Sequence, residues 1–279
     1  SNENSIVYVP SHRSHIDYCA LSYILYENGL MVPQIPAGNN LNLPIMGRIL
    51  RGGGAIFMRR SFNNSLYSTI FFQHIRNLMR RGSSIEFFPE GGRSRSGLSL
   101  QSRPGLISMI IRSFTSLKSE NVKVVPVYFG YEKVLEGGSF QGELRGNKKQ
   151  KESIFGLFKS LKNLRRSFGK VSVNFGEPIY LEQYLNQHQP NWKNDASNDN
   201  QKPEWLPTLV DKLSIEIVSG INAAAAINPI NITALVLLAT ERYAMDAEVL
   251  AKVLTFLSNL QKAYPYSDTM TFAEGDGHD

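Results

Sequence analysis

The stretch SLYSTIFFQHIRNLMRRGSSIEFFPEGGRSRSG, residues 65–97, holds the alternation on which the fold turns. Leu66, Ile70, Phe71, His74, Ile75, Leu78 and Met79 recur at helical spacing, which predicts a helix over 65–81 with these residues on one side. A Gly-Ser-Ser break follows. The short apolar run 84–88 then reads as a buried strand, which leads into glycines, arginines and serines. Pro104 opens the next helical pattern.

The same alternation extends in both directions. Candidate strands lie at 6–10, 34–37, 55–58, 122–129 and 171–175, and further helices begin near Ile16, Leu43 and Ser153. Strands alternating with helices predict an α/β fold over residues 1–185, with a mostly parallel central sheet flanked by helices. After Pro178 the character changes. Residues 186–204, rich in Asn, Gln, Asp and Pro, read as a polar loop. Residues 205–265 read as a C-terminal helical segment packing on the sheet domain, with helices near 205–223, 229–242 and 246–262 and no strand among them. Residues 266–279 read as a disordered tail, most plainly from Thr271 onward.

The chain has 279 residues, 42% of them hydrophobic, which is enough for a substantial core. One cysteine, Cys19, excludes an internal disulfide framework and fits a reducing compartment. There is no apolar run of about 18 residues and no signal-peptide pattern. The most apolar stretch, 221–240, is interrupted by Asn222, Asn228, Pro229 and Asn231, which favours a buried or interfacial helix over a span. The abrupt start on an apolar strand reads as an excised fragment or the ordered part of something longer.

Net charge is +6, but it is unevenly spread. Residues 28–119 hold eleven arginines and one lysine against only Glu86 and Glu90. Such a concentration faces an anion: a phosphate, a nucleic acid or an acidic membrane surface.

Four motifs carry chemistry. In Ser11-His12-Arg13-Ser14-His15-Ile16-Asp17 the histidine and aspartate are five residues apart and cannot share a helical face. With His12 in a loop and Asp17 in the first helical turn, the chain can curl back. The carboxylate then accepts a hydrogen bond from one ring nitrogen and leaves the other as a general base. Taken alone, such a pair is more often a capped helix with a histidine nearby than a catalytic dyad. His12 and His15 lack a third ligand cluster, so no metal site is expected. Gly52-Gly53-Gly54 leads into a short strand tipped by Arg59 and Arg60, of which alternation turns only one inward. Phe88-Pro89-Glu90-Gly91-Gly92-Arg93-Ser94-Arg95 offers backbone amides and guanidinium forks to a phosphate, without the lysine of a P-loop. In Val124-Val125-Pro126-Val127 the proline marks a bulge or strand edge.

In this order the four motifs resemble the four blocks of the glycerolipid acyltransferase family, and more narrowly the bacterial membrane-associated glycerol-3-phosphate acyltransferases. The resemblance extends through Tyr128-Phe129-Gly130-Tyr131-Glu132, Asn174-Phe175-Gly176-Glu177-Pro178 and Tyr184-Leu185-Asn186-Gln187-His188, and so covers most of the chain. It implies acyl transfer from acyl-CoA or acyl-carrier protein to glycerol 3-phosphate, giving lysophosphatidate, without a covalent acyl-enzyme. It assigns His12 as general base, oriented by Asp17, and gives the acceptor to Arg60, Glu90, Gly91, Arg93 and Ser94, with Arg95 as a helper. Glu90 is expected to hold arginines or a glycerol hydroxyl. No metal or redox cofactor is implied. The expected location is the cytoplasmic face of the inner membrane, with peripheral contact to anionic lipid through the basic segment and the apolar helices after residue 205.

Dihydroxyacetone-phosphate acyltransferases share the His-Arg-Ser-His block and the arginine-tipped strand, and so form the near alternative. Lysophosphatidate acyltransferases usually open the first block with Asn-His rather than Ser-His. The non-enzymatic alternative is a basic membrane-binding protein. A nucleic-acid binder would need basic and aromatic residues interleaved over a surface, whereas these arginines gather at strand ends. A serine hydrolase would need a G-x-S-x-G elbow, which is absent.

Overall fold

The computed structural model describes residues 5–14, 16–42, 44, 46–59, 64–117, 121–134, 169–195 and 202–272. Strand β1 (Ser5–Pro10) is central, and β4 (Ile85–Glu86) and β5 (Val122–Tyr131) flank it in parallel. Strands β2 (Ile35–Gly38) and β3 (Ala55–Met58) pair in parallel, and a bridge between Gln34 and Ile85 joins them to β4. The free edge of β5 takes two antiparallel partners, β6 (Val171–Phe175) and β7 (Ile179–Tyr180). The expected mostly parallel sheet is present, with order β3-β2-β4-β1-β5 and an antiparallel margin.

Both faces of β1 are covered, which is why its sequence reads as an unbroken apolar run. Val7 and Val9 point to one side, among Phe71, Ile75, Ile85, Ile107 and Ile111. Tyr8 points to the other, among Leu21, Leu25, Val125, Val127 and Phe129. Helix α1 (Asp17–Glu27) supplies Leu21 and Leu25 to the second cluster. Helices α2 (Met46–Gly52), α3 (Ser65–Arg80) and α4 (Pro104–Leu117) complete the α/β unit. Asn64 caps α3, accepting a hydrogen bond from Tyr67 N at 3.0 Å.

The buried stripe of α3 differs from the one its spacing predicts. Phe71, Phe72, Ile75 and Met79 are buried, while Leu66 is 68% and Ile70 59% exposed. Two apolar stripes overlap on this helix. Packing against α4, where Arg112 lies 4.2 Å from the centre of the Phe72 ring, selects the one containing Phe72.

Residues 186–204, read as a polar loop, are in part ordered helix. Helix Leu181–His188 buries Leu181, Tyr184 and Leu185. A short helix, Trp192–Asp195, seats Trp192 against Phe114 with ring centroids 5.4 Å apart. The single aromatic anchor is outnumbered by polar neighbours, so composition hides it. Helix Leu206–Ala223 packs on α4 and β5 through Leu209, Val210, Leu213, Ile217 and Ile221. Helices Pro229–Leu238 and Ala247–Ala263 then pack on one another. The helical segment was expected to hold no strand and the tail to be disordered from Thr271. Instead Ala226–Ile227 pairs in parallel with Thr271–Phe272. Two-residue strands leave no periodic signal to read. The candidate helix near Ser153 and residues 273–279 lie outside the described residues.

Pro126 lies within β5, where its missing N–H faces the gap between β6 and β7. Its carbonyl accepts from Gly176 N in that gap, at 2.8 Å. Helix Leu206–Ala223 comes closest to the sheet here, and a Cβ on Gly220 would stand 2.7 Å from Pro126 Cγ. Gly220→Ala gains about 1 kcal/mol in helix propensity, but pressing a methyl on a rigid ring costs about 1–3 kcal/mol. The expected outcome in urea denaturation is a net loss of stability of about 1 kcal/mol; an unchanged or raised midpoint would contradict the close approach.

Candidate active site

β1 ends at the carboxyl edge of the sheet, where ligands of such folds bind. Ser11 ties the chain to β5 there: its N donates to Val127 O at 2.9 Å, and its hydroxyl accepts from Phe129 N at 3.0 Å. His12 follows, and Asp17 turns back to meet it from the first turn of α1. Asp17 Oδ2 accepts from His12 Nδ1 at 3.0 Å, Arg13 N at 2.6 Å and Ser14 N at 2.8 Å. The Tyr131 hydroxyl, reaching over from the end of β5, donates to Oδ1. Asp17 is 0% exposed. With Nδ1 donating to a carboxylate, the neutral ring keeps its proton there and leaves the lone pair on Nε2. That nitrogen lies 2.9 Å from the Tyr18 hydroxyl. Phe88 packs on the imidazole with ring centroids 4.2 Å apart, and His12 is 3% exposed.

The Gly-Arg-Ser loop lies directly against this histidine. Ser94 N donates to His12 O at 2.8 Å, while Glu90 Oε1 accepts from His12 N at 3.2 Å. Glu90 Oε2 accepts from Leu100 N at 2.8 Å. Glu90 thus accepts one backbone amide at each oxygen and keeps capacity at each for a further donor. It staples two loops together, because its position after β4 sets it beside the neighbouring loop's main chain. Gly91 has φ +63°, a conformation that favours glycine, and its exposed backbone turns over the Arg103 side chain. Arg93 and Ser94 are buried and Arg95 is half-buried. The Ser94 hydroxyl has no hydrogen-bond partner among the described residues. Arg13 lies over the Tyr128 ring and donates to Gly97 O.

His12, Asp17, Glu90, Gly91, Arg93, Ser94 and Arg95 therefore share one edge of the sheet. Arg60 lies outside the described residues. The strand before it, β3, ends on the same edge, three strand positions from β1, roughly 14 Å at the usual spacing. Arg59 turns aside over the Tyr67 ring, 5.0 Å from its centre.

Sequence reasoning missed Tyr18, Tyr131 and Glu86. A tyrosine beside an aspartate carries no signal, and Tyr131 is distant in sequence. Glu86 did leave one, as a charge inside an apolar strand. It is 0% exposed, and neither carboxyl oxygen has a hydrogen-bond partner among the described residues. Burial, and then the charge of Asp17, hold its carboxyl well above the usual carboxylate range.

A cleft of about 380 Å³ opens elsewhere, between β7 and helix Leu206–Ala223. Glu177 and Glu216 line it with no lysine or arginine, and burial together with Glu216 pushes the Tyr184 phenol up to about 12. That chemistry repels an anion, and none of the residues around His12 lines the cleft. Among the described residues, no group of three or more His, Cys, Asp and Glu is placed to hold a metal ion. No described helix is long and apolar enough to cross a membrane.

A His-Asp pair and a Gly-Arg-Ser loop thus meet at the carboxyl edge of a mostly parallel sheet. The Acyltransferase family model matches residues 1–130. A second model, glycerol-3-phosphate acyltransferase C-terminal region, matches residues 140–279, half of the chain. The chain belongs to the glycerol-3-phosphate acyltransferase family. It is 50% identical to the glycerol-3-phosphate acyltransferase of Pseudomonas paraeruginosa (strain DSM 24068 / PA7) over 275 residues, 98% of this chain and 33% of the relative. The corresponding protein of Pseudomonas fluorescens (strain SBW25) is 47% identical over 273 residues, 98% of this chain and 32% of the relative. The chain thus spans about a third of the length of the curated relatives it matches. A solved structure, the 1-acyl-sn-glycerophosphate (LPA) acyltransferase of Thermotoga maritima, is a remote likeness: TM-score 0.39 at 17% identity, over 78% of this chain and 67% of that one. That level decides nothing about fold or activity.

Glu86 makes stability depend on pH. Its pKa is raised in the folded state above the roughly 4.3 of an unfolded glutamate. Its contribution is therefore complete below that pH and is lost as pH rises through the folded-state pKa, at about 1.4 kcal/mol per unit. Glu86→Gln, neutral in both states, should gain on wild type in thermal melts as pH rises above the pKa of an unfolded glutamate. A difference that stays flat with pH would place a charge or solvent at residue 86.

Proposed function

We propose that this chain carries the catalytic centre of a glycerol-3-phosphate 1-O-acyltransferase, which makes lysophosphatidate at the first step of phospholipid synthesis. The observation that carries the reading is the contact of base and anion loop, Ser94 N to His12 O at 2.8 Å. Glycerol 3-phosphate holds its phosphate and the reacting hydroxyl at opposite ends of three carbons, so a site for it needs these two features side by side.

In this reading His12 Nε2 takes the proton of the C1 hydroxyl, and Asp17 orients the ring and stabilises the imidazolium. The alkoxide oxygen bonds to the carbonyl carbon of the thioester. The C–S bond breaks as the tetrahedral intermediate collapses, and the imidazolium returns its proton to the departing thiolate. Arg93, the Ser94 hydroxyl and the Gly91 backbone receive the phosphate, with Arg95 and Arg60 adding charge. Glu90 shapes the loop through its two amide contacts. The step is redox-neutral, and acyl-CoA or acyl-carrier protein supplies the acyl group with no metal or redox cofactor.

The protein works peripherally at the cytoplasmic face of the inner membrane. Support comes from the basic segment and from helices Pro229–Leu238 and Ala247–Ala263. These expose Ile230, Leu235, Leu238, Val249, Phe256 and Leu260. Vesicle binding should strengthen with anionic lipid content; binding indifferent to it would remove the electrostatic half of this contact.

The deciding assay is acyl transfer from palmitoyl-CoA to labelled glycerol 3-phosphate by the full natural protein. Loss of a general base costs about 10²–10⁴ in rate, so His12→Ala should all but abolish turnover while acceptor binding is kept. Arg60→Ala should chiefly raise KM for the acceptor, by about tenfold or more for a lost charge-assisted bond. Near-normal turnover by His12→Ala would sink the proposal, and a preference for dihydroxyacetone phosphate in competition would redirect it.

A further inference from the structure

With Nδ1 committed to Asp17, Nε2 is the nitrogen available for chemistry, and its neighbour at 2.9 Å is the Tyr18 hydroxyl. In this tautomer Nε2 has only a lone pair to offer, so the hydroxyl donates to it. That is the bond an incoming alcohol makes. The Tyr18 ring stands edge-on to His12, centroids 4.9 Å apart, and edge-on to Phe88 at 5.1 Å. Together they leave the imidazole 3% exposed. Tyr18 lies in the first turn of α1, beside Asp17, so the element that orients the base also covers it.

From this arrangement, and resting on the acyltransferase reading above, we infer that Tyr18 is an occluding residue. It holds the acceptor's place on His12 Nε2 until the acceptor arrives, and so keeps the base from turning water against a bound thioester. The side reaction is simple. Water loses a proton to Nε2, its oxygen bonds to the thioester carbonyl carbon, and the C–S bond breaks. The proton returns to sulfur, leaving a fatty acid and a free thiol. A water-exposed general base promotes this whenever donor binds before acceptor.

Competition for Nε2 separates water from acceptor. A hydroxyl anchored through its phosphate on the adjoining loop reaches an effective concentration that free water does not. The bond it must displace is worth about two- to tenfold in an equilibrium constant. The anchored alcohol therefore displaces Tyr18, and water does so rarely.

The test uses the full natural protein with palmitoyl-CoA, following free-thiol release without acceptor and lysophosphatidate formation with glycerol 3-phosphate. Tyr18→Phe keeps the ring contacts and removes the hydroxyl. Acceptor-independent thiol release should rise about two- to tenfold and KM for glycerol 3-phosphate should fall by a similar factor. His12→Ala in the Tyr18→Phe background should abolish the added hydrolysis. Tyr18→Leu provides a second removal of the hydroxyl should the phenylalanine variant fold poorly, and it too should raise thiol release. Unchanged or reduced thiol release in the folded variants, alongside normal transfer by wild type, would overturn the inference and leave the parent reading standing. A wild type that transfers to no acceptor would overturn both.

Discussion

The carboxylate of Asp17 is wholly buried and makes no ion pair with lysine or arginine among the described residues, yet it accepts four hydrogen bonds. A buried charge is tolerable only when its acceptor capacity is met. Here the donors come from two parts of the fold: the loop after β1, with the His12 ring and the Arg13 and Ser14 amides, and the end of β5, with the Tyr131 hydroxyl. Satisfying one group therefore shapes the loop after β1, starts α1, fixes the histidine tautomer and ties β5 to the site. The reactive nitrogen is aimed as a consequence of solvating its neighbour's partner.

Three carboxyl groups near this edge are treated in three ways. Asp17 has four donors. Glu90 has two backbone amides, one from each loop it joins. Glu86 has none among the described residues, and burial shifts its pKa upward. The environment and not the residue type decides the role, as in other sites where carboxyl groups divide their duties. Glu90 bonds to main chain, and burial favours the neutral form of Glu86.

The rest of the fold holds this edge in place. The carboxyl ends of β1 and β4 lead into the two loops that meet at His12, and β5 supplies Ser11's anchors and Tyr131. Behind them, helix Leu206–Ala223 rests on Pro126 through Gly220, at the break between β6 and β7. The apolar helices beyond it keep much of their surface exposed.

By itself the amino-acid sequence determined the alternation of strands and helices and the positions of all five strands of four residues or more to within a residue or two, and it allowed His12 to meet Asp17. These rest on local periodicity and on how far a short loop can curl, both of which are set by neighbours in the chain. Only the tertiary structure decided that Tyr131 completes the solvation of Asp17, that Tyr18 covers Nε2, that Glu90 accepts from the His12 and Leu100 amides, and that Phe72 displaces Leu66 and Ile70 from the core. It also decided that Thr271–Phe272 pairs with Ala226–Ile227 across more than forty residues. Each of these depends on which distant groups arrive within hydrogen-bonding or packing distance, and a periodic pattern along one segment carries no record of what will face it.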